Sequence, residues 1–192
     1  MRLLLALAAT LLAAPVSANE DLALQIDRVA PSLNGGNLTT LGGPETPQAL
    51  VDGLDGRWFT LKNTVRNWRG TGDADRENLA RAIERTCANT WENIVTYTTT
   101  SPTTFRVTQQ SPEGDDHGTF DMEPVEPAGR VFATTIEDDY IVKVFGIDAA
   151  SPELAEIRAL LSAGLEIWRP TPDVLVNLRA NQEIEVWGRC PS

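Results

Sequence analysis

The sequence predicts an α+β fold: an antiparallel β-sheet with two helices packed against it, over about residues 73–89 and 152–163. Closure of the sheet into a barrel is left open at this level. Two observations carry the prediction. Beyond residue 55 most of the chain alternates apolar and polar residues with period two, in short runs separated by turn residues. Such runs mark half-buried strands of an antiparallel meander. Two other segments space their apolar residues three or four apart and begin with helix-start signals. A third feature, the cysteine pair Cys87 and Cys190, fits one disulfide across the domain.

The chain opens with Met1-Arg2, an apolar run over residues 3–14 and then Pro15-Val16-Ser17-Ala18. These are the parts of a secretory signal peptide, with cleavage expected between Ala18 and Asn19. The apolar run is shorter than the roughly 20 residues a membrane-spanning helix needs. Residues 19–29 suit a short helix with Leu22, Ile26 and Val29 on one side. Residues 31–47 are rich in Gly, Thr, Asn and Pro and read as a surface arm. The expected division is therefore a leader at 1–18, an N-terminal arm or linker at 19–50 and one α+β domain at 51–192. Asn37-Leu38-Thr39 fits a glycosylation acceptor, but the Leu/Ala-rich leader is bacterial in character, so occupancy is not expected.

The first helix is opened by Thr71-Gly72-Asp73, with Asp75 and Glu77 near its positive end. Leu79, Ile83 and Cys87 recur every four residues, which puts the cysteine on the buried stripe. The second helix opens with Ser151-Pro152-Glu153, a cap, a proline and an acid. Leu154, Ile157, Leu160 and Leu161 form its apolar face, and Gly164 stops it. Strand-like runs lie at 57–62, 92–99, 104–109, 118–122, 130–136, 140–146, 165–168, 174–179 and 183–186. In the third run Phe105, Val107 and Gln109 share a face. In the last, Ile184 and Val186 oppose Glu183 and Glu185 and are expected to be its inner face. Ser101-Pro102, Glu137-Asp138-Asp139, Pro170-Thr171-Pro172 and Ala180-Asn181 supply turns between runs.

Composition narrows the function classes. With 27 acidic and 16 basic residues, net charge −11, the chain lacks the cationic surface that nucleic acids and anionic lipids require. An exported protein with two cysteines reads as disulfide-bonded; there is no Cys-x-x-Cys spacing and one histidine, which argues against a redox or metal pair. The bond would close a loop of about 100 residues, worth up to roughly 4–5 kcal/mol.

Gly56-Arg57-Trp58 opens the first strand, just after a segment capped by Thr46-Pro47. On those three residues and a count of about nine strands the chain resembles the lipocalin (calycin) family, whose first barrel strand carries Gly-x-Trp. The resemblance implies a barrel in which Trp58 closes one end and packs against an arginine late in the chain. Arg179 and Arg189 both fit that role. The alternative is that Trp58 is an ordinary core aromatic.

Other candidates are few. Arg66-Asn67-Trp68-Arg69-Gly70 places a tryptophan between two arginines, a combination common in partner contacts; otherwise Trp68 folds back as a lid. His117, in Glu113-Gly114-Asp115-Asp116-His117-Gly118, has oxygen donors beside it, but the stretch reads better as a solvated turn. No nucleophile with an activating base is found, and no phosphate-binding glycine loop. Tryptophans 58, 68, 91, 168 and 187 suit sugar stacking less well than core. The reading is an exported, periplasmic, soluble, non-enzymatic protein holding a small apolar or amphipathic ligand. Trp58, Arg66, Trp68 and Arg69 are its candidate contacts, with no metal and no cofactor. The alternatives are a cell-envelope interaction module and, third, a carboxylate-dependent hydrolase acting through paired acids.

Overall fold

A computed structural model describes residues 18–61, 73–88, 94–110, 116–134, 136–180 and 183–191. Eight antiparallel strands form a closed barrel in which each pairs with its sequence neighbour, and β8 pairs back with β1. They are β1 (Gly56–Thr60), β2 (Ile94–Ser101), β3 (Thr104–Gln110), β4 (Asp116–Pro124), β5 (Val131–Ala133), β6 (Leu165–Thr171), β7 (Val174–Arg179) and β8 (Ile184–Arg189). Closure leaves no unpaired edge. Among the described residues the α-helices are α1 (Ala18–Asn34), α2 (Pro47–Val51), α3 (Asp73–Cys87), α4 (Asp138–Phe145) and α5 (Glu153–Ser162). The two helices expected from periodicity are α3 and α5. Among the described residues no helix is long and apolar enough to cross a membrane.

One expected strand is a helix. Residues 140–146 alternate well enough to suggest β-structure, but they lie in α4. Its first turn carries Asp138 and Asp139, its last turn Lys143, and Gly146 caps it in the left-handed conformation. Acids at the start, a base at the end and a terminal glycine complement the helix dipole and its free carbonyls. Burial of Ile141 against Ile136 and Leu154 then fixes the segment in place.

Two apolar clusters divide the barrel wall. The outer one joins α1 (Leu22, Ala23, Ile26, Val29) and α3 (Leu79, Ile83) to Phe59, Leu61, Val174, Val176 and Val186 on β1, β7 and β8. Helix α1 is longer than expected, running through Pro31, and its apolar side belongs to this core. The inner cluster fills one end of the barrel with Leu50, Leu54, Trp58, Phe105, Phe132 and Leu175. A third, smaller cluster joins α4 and α5.

This arrangement reverses the expected facing of β8. Ile184 and Val186 point outward, under the helices, while Glu185 and Trp187 point into the barrel. The alternation was legible, but its apolar face lies against helices outside the sheet. Cys190, just past β8, bonds to Cys87 at the end of α3, with Cα atoms 5.5 Å apart. The expected disulfide is formed, and it pins α3 to the outer wall.

Candidate functional site

The barrel has a packed end and a hollow end. At the packed end α2 begins at Thr46, whose side chain accepts a hydrogen bond from the Ala49 N–H, with Pro47 in the first turn. The chain then turns into β1 and delivers Trp58, fully buried, into the barrel axis. Its indole N–H donates to the Leu54 carbonyl at 3.0 Å. Trp58, Tyr97, Phe105 and Phe132 follow one another in edge or tilted contacts, with centroids 5.3–5.9 Å apart. Such offset geometry suits the quadrupoles of the rings.

Arg189 completes this floor. Its guanidinium lies 4.7 Å over the Trp58 ring and donates to the Asp55 carbonyl at 2.6 Å and to the Gly53 carbonyl. Its Nε stands 3.1 Å from Asp173, misaligned for a hydrogen bond, so the contact is ionic. Arg169 clamps the same loop, donating to the carbonyls of Leu50, Asp52 and Gly53. Burial, with Arg189 alongside, lowers the pKa of its guanidinium. Of the two late arginines that fit the tryptophan, Arg189 takes the place, and Arg179 does not.

Arg179 instead lines the hollow half. A chamber of about 330 Å³ lies above the floor, at the lower end of the range for small-molecule sites. Its walls are mostly apolar and include Val107, Phe120, Met122 and Ile167; Phe105 and Gln109, which share a face of β3 with Val107, line it too. One wall is polar. On β7 and β8, Arg179 and Glu185 form a two-pronged ion pair, at 3.1 and 3.2 Å. Asn177, directly opposite Glu185 in register, is 2 % exposed. The Asn177 Oδ1 and the Trp187 Nε1 are both buried without a hydrogen-bond partner among the described residues. Beside Asn177, burial pushes the Tyr97 phenol well above its usual pKa, and hydrogen bonding with Asn177 partly opposes the shift.

Helices α4 and α5 roof the chamber through Tyr140, Phe145 and Leu161. Tyr140 meets Phe120 edge-on at 6.2 Å. It approaches the backbone of β4 so closely that a Cβ on Gly118 would fall 2.7 Å from its Cε2. Glycine at 118 is what lets this side chain lie across the mouth.

Other sequence candidates fall elsewhere. Arg66, Trp68 and Arg69 lie outside the described residues, as do residues 1–17 of the expected leader at 1–18 and Trp91. His117 falls in β4. Trp168 faces outward, under Arg130 at 3.8 Å. Asn37 is exposed, its Oδ1 accepting from the Thr39 hydroxyl at 2.6 Å. Three acids, Asp21, Asp55 and Asp173, line an outer cleft beside Arg57 and Cys190. The Gln25 amide donates to Asp21 and Asp173, at 2.9 and 2.8 Å, and so ties α1 to the β6–β7 turn. Among the described residues no group of three potential ligands is placed to hold a metal ion.

Fold and site together define an up-and-down β-barrel with a plugged floor and an interior chamber. No family model, curated protein or solved structure matches the chain.

Proposed function

We propose that the protein is an exported, lipocalin-like carrier, without catalytic activity of its own, that holds a small amphipathic ligand inside the barrel. The observation that carries this reading is the chamber above the Trp58–Arg189 floor, apolar on most sides and polar on one. A site of that kind buries a tail by the hydrophobic effect and orients a head by a few hydrogen bonds. The Gly-x-Trp strand, its late arginine and the eight-stranded closure support the family likeness. The leader-like start and the disulfide support export, with the periplasm as the compartment.

Native mass spectrometry of the protein purified from its own compartment tests the reading. The expected spectrum shows the chain with a small molecule that organic extraction removes. A ligand-free chain bound to another protein would favour a cell-envelope interaction module instead.

A further inference from the structure

We infer that the chamber selects an uncharged head group bearing both a hydrogen-bond donor and an acceptor, an amide or an alcohol on a short apolar tail, over a carboxylate of the same length. The inference rests on the carrier reading and goes on to name the ligand's chemistry.

The argument begins with charge. Arg179 and Glu185 satisfy each other through two parallel bonds, so the polar wall has no net charge to offer an ion. The two unpartnered groups are of opposite kinds. Asn177 Oδ1 needs a donor, and Trp187 Nε1 needs an acceptor. Register places Asn177 opposite Glu185 and Leu175 opposite Trp187, so Asn177 and Trp187 are diagonal neighbours on the inward face. Diagonal Cα atoms stand about 7–8 Å apart, within reach of one head group. An amide or a hydroxyl supplies both functions at once. A carboxylate supplies only acceptors, and would set an anion against both Asn177 Oδ1 and Glu185. An ammonium supplies only donors and leaves the indole unsatisfied.

Size follows from volume. At about 30 Å³ for a water-sized group, a chamber of about 330 Å³ takes a head and a tail of eight to ten carbons.

Octanamide and octanoate have the same shape and number of heavy atoms, and differ in the group that matters. Calorimetric titration of the full-length exported protein at pH 7.5 is expected to give at least about tenfold tighter binding of octanamide. 1-Octanol should lie nearer the amide. Asn177→Leu, which keeps the volume and removes the acceptor, should bring octanamide and octanoate to within about threefold. Trp187→Phe keeps an aromatic ring and removes the donor, and should weaken octanamide and octanoate alike several-fold, because each offers the indole N–H an acceptor; it serves as the test if Asn177→Leu does not fold. Octanoate binding as tightly as octanamide would overturn the inference and leave the carrier reading standing. Preference for the amide persisting in Asn177→Leu, or octanamide affinity unmoved in Trp187→Phe, would also overturn it, since these atoms would not be its source. Failure of octanamide, octanoate and 1-octanol alike to bind would remove the carrier reading, and the inference with it.

Discussion

Replacing both cysteines with serine opens a ring whose ends are 103 positions apart in the chain. Seven of the eight strands and helices α4 and α5 lie inside that ring, with β1, α1 and most of α3 outside it. In the chain-entropy account, a cross-link over that separation removes disorder from the unfolded chain worth about 4.7 kcal/mol at 25 °C. Domains of this size have only about 5–15 kcal/mol in total, so the bond is a large share. The packing it secures is limited. Helix α3 contributes Leu79 and Ile83 to the outer cluster, with Cys87 at its edge. Urea unfolding of the oxidised protein and of the Cys87→Ser/Cys190→Ser variant should therefore differ by about 3–5 kcal/mol. A difference below about 1 kcal/mol would refute the entropy argument for this ring, and two titratable thiols in the unfolded, unreduced protein would refute the bond. Because the bond lies on the outer wall, ligand affinity should be unchanged wherever the variant remains folded.

The floor, the mouth and the polar wall each yield a further expectation. Trp58→Ala should cost about 3–5 kcal/mol in thermal or urea unfolding, as truncations of buried aromatics do, because Trp58 is fully buried beneath Arg189. Gly118→Ala should displace Tyr140 from the mouth, seen as faster ligand dissociation in stopped-flow fluorescence with the barrel still folded. The Tyr97 phenol has a raised pKa in the folded state because it is buried. Its contribution to stability is therefore complete below the unfolded value of about 10 and is lost as pH rises above it. Unfolding midpoints measured from pH 8 to 11 should fall above pH 10 in the native protein, and fall less in Tyr97→Phe.

How far the sequence reveals this molecule depends on which contacts are local. Helices α3 and α5 announce themselves through caps and three- or four-residue spacing, and β7 through an apolar run broken by Asn177. Cys87 was placed by its helical stripe. The lipocalin resemblance makes Trp58 legible as a floor residue, but choosing between Arg179 and Arg189 requires the pairing of β1 with β8, which sets Trp58 opposite Arg189. Periodicity reports alternation and is silent on which face meets the barrel axis. With helices covering the outer wall, the apolar face of β8 is the external one, and Glu185 and Trp187 point inward. The chamber's polar wall was missed for that reason. One signal was present: Asn177 stands inside the apolar run Val174-Leu175-Val176-Asn177-Leu178, where a lone amide requires a partner. Helix α4 is hidden because its valines and isoleucine favour strands and Asp138-Asp139 also suits a turn, while Lys143 and Gly146 fall inside the apparent strand run.

Met1 and Met122 are the chain's only methionines, and Met122 lies on the chamber wall, 5 % exposed. Carbon-13 labelling of methionine methyl groups therefore places a single reporter inside the barrel. Titration with octanamide should shift the Met122 methyl resonance in a saturable way, with the shift reduced in Asn177→Leu at equal ligand concentration. Tight octanamide binding with the Met122 resonance unmoved would place the ligand outside the barrel and contradict the account.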